Sequence, residues 1–347
     1  LCELAIYAIH SAMPTLISRP TCCPLLALFA ACALPACGLF AGDEATTTAT
    51  PDKSVQETVL DRMTPLDLLD AEASYVGGSP FQIKRFNGAG AGTQASYGDP
   101  SESEEELEYG HRFHLFDKVY LRAGVDYQRF DFSLHSAPVP DSLQNLSAEF
   151  QLEYVEQGEP AIFLRTRPGV FYSDINQVHV ASIDAPTDVG GIVPGTLLYS
   201  GFKKVYFLVG AHFSLLSKYP VLPIGGVVWL INDKFRLEGI PPEPRLIYTI
   251  CKQLDLFAGG ELLGESYKTA PNPEARPQDQ RFNSAVVDFT EYRAGAGLTY
   301  SPIKQIDIDL SGGWDIQRDF DYYRGDSTKE FELRGAPYAK VRIEAEF

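Results

Sequence analysis

The chain has 347 residues, 12% of them aromatic, and carries 29 basic against 46 acidic side chains, a net charge of −17. That sign removes the electrostatic attraction on which nucleic-acid binding depends. Mean hydropathy is −0.11, and past the N-terminal segment no stretch approaches the roughly 20 apolar residues of a spanning helix. A helical membrane protein is thereby excluded. A chain that crosses with strands is not, because alternation cancels in the average.

Met13 is the expected start. After it come the basic segment Ser18-Arg19-Pro20, an apolar stretch at 24–31 and small residues before Gly42, the layout of a secretory signal cleaved after Ala36 or Ala41. Residues 1–41 are therefore assigned to upstream residues and a signal peptide. The run Leu34-Pro35-Ala36-Cys37 also resembles a lipoprotein signal, which makes Cys37 a candidate for lipidation. Residues 42–70, polar and rich in Thr, read as a periplasmic leader. Only one cysteine, Cys251, lies beyond residue 37, too few in the body for a disulfide framework or a thiolate metal site.

From residue 71 to 347 the pattern is period two, the mark of β-strands. Strands are expected at 71–76, 107–114, 119–128, 146–154, 162–172, 191–199, 205–214, 222–231, 235–240, 245–250, 254–264, 287–300, 306–317 and 336–347. The acidic run 101–106 and the stretches 137–144, 173–190, 270–280 and 319–335 read as long loops, alternating with short turns such as Asp117-Lys118 and Ser301-Pro302. In the last stretch Ala339, Val341, Ile343 and Ala345 share one face, while Tyr338, Lys340, Arg342, Glu344 and Glu346 fill the other. An ordinary core cannot hide five consecutive polar side chains, so water must reach that face while lipid covers its opposite.

The expected fold is thus all-β, an antiparallel transmembrane β-barrel of about 14 strands, or about 12 if the Pro241 corner lies within one bent strand. Short turns at the end that holds the C-terminus and longer loops at the other match barrels of the outer membrane of a diderm bacterium. Outer-membrane lipids and the barrel assembly machinery are then the expected partners. Phe347, with Ile343 and Val341, is the expected membrane-insertion signal. The competing fold is a secreted β-sandwich or jelly roll, which also alternates. Small residues on the apolar face, such as Ala258, Gly260, Ala294 and Ala296, suit a lipid-facing wall better than an interdigitated core.

Catalytic signals are poor, and no cofactor, metal site or enzyme activity is expected. The histidines show no metal-ligand spacing and there is no nucleophile elbow. A membrane-embedded hydrolase would need His212 with Asp126 or Asp307, and a wetted lumen histidine is the plainer assignment. What remains is the inner wall. Arg122, Arg165, Arg167, Arg293, Lys340 and Arg342 share it with Glu149, Glu153, Asp255, Glu261, Glu265, Glu291, Asp307, Asp309 and Asp315. If such a lumen conducts, nine acids against six bases favour cations. Asp307, Asp309 and Asp315 would then act on one strand face, opposed by Arg165, Arg167 and Arg342. Equally, the charges can pair across strands and leave a closed structural or adhesive barrel.

The strand from Pro223 to Trp229, the Asn232-Asp233-Lys234 turn, the Pro241-Pro242-Glu243-Pro244-Arg245 corner, the run Leu254-Asp255-Leu256-Phe257-Ala258-Gly259-Gly260 and the aromatic terminus resemble an uncharacterised family of bacterial outer-membrane β-barrel proteins, classified as a domain of unknown function. The resemblance implies a location and a fold. It brings neither catalytic residues nor a substrate.

Overall fold

The computed structural model describes residues 66–86, 89–90, 99–133, 140–155, 161–173, 182–269, 285–324 and 327–347. The expected signal peptide, Cys37 and the leader as far as residue 65 lie outside the described residues. Eighteen strands form one sheet: β1 Asp67–Val76, β2 Phe81–Phe86, β3 Ala89–Gly90, β4 Glu102–Phe116, β5 Val119–Phe132, β6 Ser142–Tyr154, β7 Ala161–Thr166, β8 Gly169–Ser173, β9 Ser182–Asp184, β10 Thr187–Pro194, β11 Val205–Phe213, β12 Val221–Leu230, β13 Phe235–Gly239, β14 Arg245–Cys251, β15 Leu254–Lys268, β16 Val286–Ile303, β17 Ile306–Arg324 and β18 Ser327–Glu346.

The pairings close a ring of fourteen. Antiparallel partners run β1–β4–β5–β6–β7–β10–β11 and onward through consecutive strands to β18, which pairs back to β1. β8 continues the stave of β7 past Arg167-Pro168: β6 bonds β7 through Phe150↔Thr166 and β8 through Ser147↔Gly169. β9 leads in the same way into β10 across Ala185-Pro186. A proline has no N–H to give a ladder, so each stave breaks where one falls. The Pro241 corner separates two antiparallel strands, β13 and β14, which settles the count at fourteen.

Several stretches differ from expectation, and the strand expected at 191–199 ends at Pro194, where a 3-10 turn over Gly195–Leu197 replaces it. The first strand begins at Asp67, so residues 67–70 belong to the wall; there Asp70 faces inward against Arg342 while Leu69 pairs with Ala345. The acidic run 101–106 is no surface loop. It opens β4, and Glu102 and Glu104 are each 1% exposed inside the barrel. Residues 319–324 and 327–335 are also strand. An extra residue in β17 at Ile316 shifts its register with β16, from Arg293↔Asp315 to Tyr292↔Gln317. Such a bulge swaps the faces: Asp315 points inward before it, and Arg318, Phe320 and Tyr322 after it are buried.

The outward face is an apolar belt. Leu107, Val125, Phe150, Leu164, Val209, Trp229, Leu246, Leu262 and Trp314 are all exposed on it, far more than a soluble surface leaves open. The ring closes where the first strand meets the last. Asp67 N–H donates to Phe347 O and Phe347 N–H to Asp67 O, both at 2.9 Å. Deleting Phe347 removes both bonds and an exposed interfacial aromatic. Heat-modifiable folded barrel in the membrane fraction should fall severalfold in that variant, and an unchanged gel shift would count against this role.

Candidate functional site

Inward-facing side chains build the interior in two layers. At the end away from the termini, Phe130 and Phe132 of β5 meet Phe289 of β16 at ring separations of 5.0 and 5.5 Å, and Phe132 meets Phe320 of β17 at 5.1 Å. β5 neighbours neither β16 nor β17 in the ring. Their rings touch across the lumen, and with Leu143, Phe171, Tyr267, Phe331 and Leu333 they form a buried aromatic plug. Above the short strands, β8 and β15 come together from opposite sides at Tyr172↔Lys268. The barrel is pinched there.

Beneath the plug the lumen is crossed by ion pairs. Arg293 is fully buried and reaches Glu291 at 2.7 Å on its own strand, Glu104 of β4 at 3.0 Å and Glu261 of β15 at 3.7 Å. Lys340 lies 2.8 Å from Glu72, 2.7 Å from Glu261 and 2.6 Å from Glu243, which the Pro-rich corner after β13 turns into the lumen. Arg318 joins Glu102 to Asp315, Arg245 joins Glu243 to Asp309, and Arg342 holds Asp70. These contacts form one continuous network in which ten carboxylates share five basic side chains. A second network ties Arg165 to Glu108 and Glu149, both at 2.9 Å. Arg167 there spans the lumen from Asp126 to Glu265, each at 3.3 Å.

Each lumen residue singled out in the sequence therefore has a definite place. Asp309, Asp315, Arg165, Arg167, Arg342, Lys340, Glu261 and Glu149 all stand in these networks, and Asp307 accepts a hydrogen bond from Ser301 Oγ. The three aspartates do not form a free row of carboxylates, since Asp309 and Asp315 are each held by an arginine. Nor do Arg165 and Arg167 face them; their partners lie on β4, β5, β6 and β15. His212 pairs through Nδ1 with Asp188 at 2.8 Å. The expected acids are engaged elsewhere, Asp126 with Arg167 and Asp307 with Ser301. Sequence reasoning missed Glu102, Glu104, Arg318, Arg245 and Glu243. The first two carried a signal, because 102, 104, 106 and 108 continue the inward phase of Gly110 and Arg112. Glu243 carried none, because a Pro-rich corner has no phase.

The wall over β10 to β14 has another character. Tyr206 and Val228, directly opposite each other, are buried inward with Ile192, Leu230 and Ile240 against them. Around Tyr206 and Val228 both faces are apolar, while Asp188 with His212, Arg236 with Glu238, and Arg245 place charged pairs elsewhere on the same inner wall. β12 pairs with β13 only from Val227 to Leu230, so Val221 to Gly226 are bonded to β11 alone among the described residues. On the other side β15 pairs with β14 only as far as Gly259, beyond which Pro244 O and Pro242 O accept from Gly260 and Leu262 N–H. No described strand fills the wall between the upper halves of β12 and β15. Pro223 sits on the free edge of β12, where its missing N–H costs no ladder bond.

No protein-family model matches the chain, and no curated protein matches it. Among solved structures it is similar to an outer-membrane channel from Pseudomonas putida F1, at 9% identity over 82% of this chain and 96% of that one, TM-score 0.44. It is also similar to the P. putida toluene transporter TodX, at 9% identity over 85% and 92% with a TM-score of 0.35, and to a Pseudomonas aeruginosa FadL homologue, at 10% over 81% and 90% with a TM-score of 0.33. At these identities and scores, what the chain does is argued from its own geometry.

The networks give a direct expectation. Arg293→Met leaves Glu291, Glu104 and Glu261 without their shared cation, and breaking a buried pair from one side costs about 3–5 kcal/mol. The heat-modification midpoint of the folded barrel should drop markedly, whereas Arg129→Met, on a half-exposed pair with Asp131, should change it far less. Equal midpoints in the two variants would refute the stabilising role of the network.

Proposed function

We propose that the protein is an outer-membrane β-barrel through which small molecules pass passively, along the apolar lining of the β10–β14 side rather than down the axis. The observation that carries this is the contrast between the two routes. The axis is stopped by the aromatic plug and crossed by ion pairs, while the short-strand side offers Ile192, Tyr206, Val228 and Leu230 inside and a thin wall between β12 and β15. Apolar and amphipathic solutes suit that lining, as ligand sites are lined mainly by apolar side chains with few polar groups. The outer-membrane placement is supported by the closed ring and its apolar belt, since a closed barrel is the strand architecture that can cross a membrane.

Ions have the poorer path. What ionic current passes should prefer cations, because carboxylates outnumber basic groups in the lumen. A closed structural barrel is the second reading, favoured by the completeness of the ion pairing.

Planar bilayers and proteoliposomes separate these outcomes. The wild-type barrel should show small, cation-preferring conductance and measurable uptake of a neutral apolar dye. Phe130→Ala with Phe289→Ala should raise conductance severalfold by thinning the plug, and leave dye uptake little changed. A large anion-selective conductance in the wild type would overturn the proposal. Silence in both assays from a folded protein would establish the structural barrel instead.

A further inference from the structure

We propose that Arg122, on the inner wall near the end of the barrel that holds the termini, binds an oxyanion presenting two oxygens: a carboxylate or a phosphate group. Its side chain is 5% exposed, and its Nε and Nη2 are buried without a hydrogen-bond partner. Every other inward-pointing arginine or lysine named above has a carboxylate within 4 Å: Arg165, Arg167, Arg245, Arg293, Arg318, Lys340 and Arg342. Arg122 has none among the described residues.

Its surroundings make an internal partner harder still to find. Arg112 stands directly opposite it on β4, and Gln151 directly opposite on β6. Like charges facing each other across a ladder repel. Glu153, two residues from Gln151 on β6, is already taken: Arg112 Nε donates to its Oε2 at 3.0 Å and Gln151 Nε2 to its Oε1 at 2.7 Å. Glu149 is held by Arg165. The stem of Arg122 lies over Gly110, where a Cβ would meet its Cδ at 3.0 Å, so the side chain is seated and not free to swing to another acid. A buried cation without a counter-charge is among the costliest arrangements a fold can hold.

The class of ligand follows from which atoms are free of partners. Nε and Nη2 form one edge of the guanidinium, two parallel N–H donors that match two oxygens of one group. This barrel uses that same edge twice. Arg293 donates from Nε and Nη2 to the two oxygens of Glu291 at 2.7 and 2.9 Å, and Arg342 presents its edge to Asp70. At Arg122 the edge is turned to no carboxylate of the described chain, which points to an oxyanion supplied from solution.

The test uses the full-length folded barrel in detergent. Its heat-modification midpoint is followed as sodium acetate or sodium phosphate replaces sodium chloride at constant ionic strength and pH. Both oxyanions should raise the wild-type midpoint saturably. R122Q should lose the response, and R122K, which keeps the charge but not the planar edge, should need a higher concentration for half the effect. If R122Q fails to fold, R122K alone decides, because a response identical to the wild type excludes the paired-donor edge. No midpoint change in the wild type, or a full response in R122Q, would overturn the site. A response to acetate but not phosphate assigns a carboxylate ligand, and the converse assigns phosphate.

Discussion

In hydrocarbon there is no water to satisfy a backbone N–H or C=O, so lipid penalises every stretch of strand that is not bonded on both sides. Closure of the fourteen-strand ring answers that demand over most of the wall, Val221–Gly226 of β12 being bonded to β11 alone among the described residues, and the pair that closes it, β18 on β1, is in register for nine residues from Leu68↔Glu346 to Val76↔Tyr338. Once the ring is closed, period-two geometry fixes the rest. Ala339, Val341 and Ile343 must face outward and Lys340 and Arg342 inward, and a slip of one residue would exchange the two sets.

A ring of fourteen encloses more room than side chains fill in an eight-stranded barrel. Here long charged side chains and aromatic rings reach across that room. Arg167 joins β7's stave to Glu265 on β15, and Phe132 touches Phe289 and Phe320 from the far wall. Buried ion pairs are often no better for stability than well-packed apolar groups of the same volume. Their value in this molecule is reach and direction. An arginine can bond two carboxylates on different staves, as Arg165 bonds Glu108 and Glu149, and so set the distance between walls that share no backbone bond.

The alternating face of each long strand was legible because period two survives any tertiary context, and the fold class, the even count and the inward set of β15, β16 and β18 came from it. The extent of the strands was not. Glu102 and Glu104 looked like loop because acidic runs are normally solvated, whereas here Arg293 and Arg318 arrive from β16 and β17, nearly two hundred residues away or more. Residues beyond Ile316 looked like loop because the bulge reverses their phase, and a strict alternation count breaks at such a point. Which acid meets which base was also beyond the sequence. Both networks connect strands distant in order, and Glu243 enters through a corner whose direction only the packed barrel defines.

The two sides of the barrel are consequently held by different forces. On the β15–β18 and β4–β6 side, strands of 13 to 20 residues carry the plug and most of the ion pairs, so any displacement must break several directional contacts together. On the β10–β14 side, strands of 5 to 10 residues meet mostly through apolar contact, which is non-directional and tolerates sliding. Part of β12 there has a partner on one side only. Local opening is drawn from regions with few buried contacts and incomplete backbone bonding. Motion that admits a solute is therefore expected where the wall is short and apolar, and the long-stranded side serves as the rigid frame against which it moves.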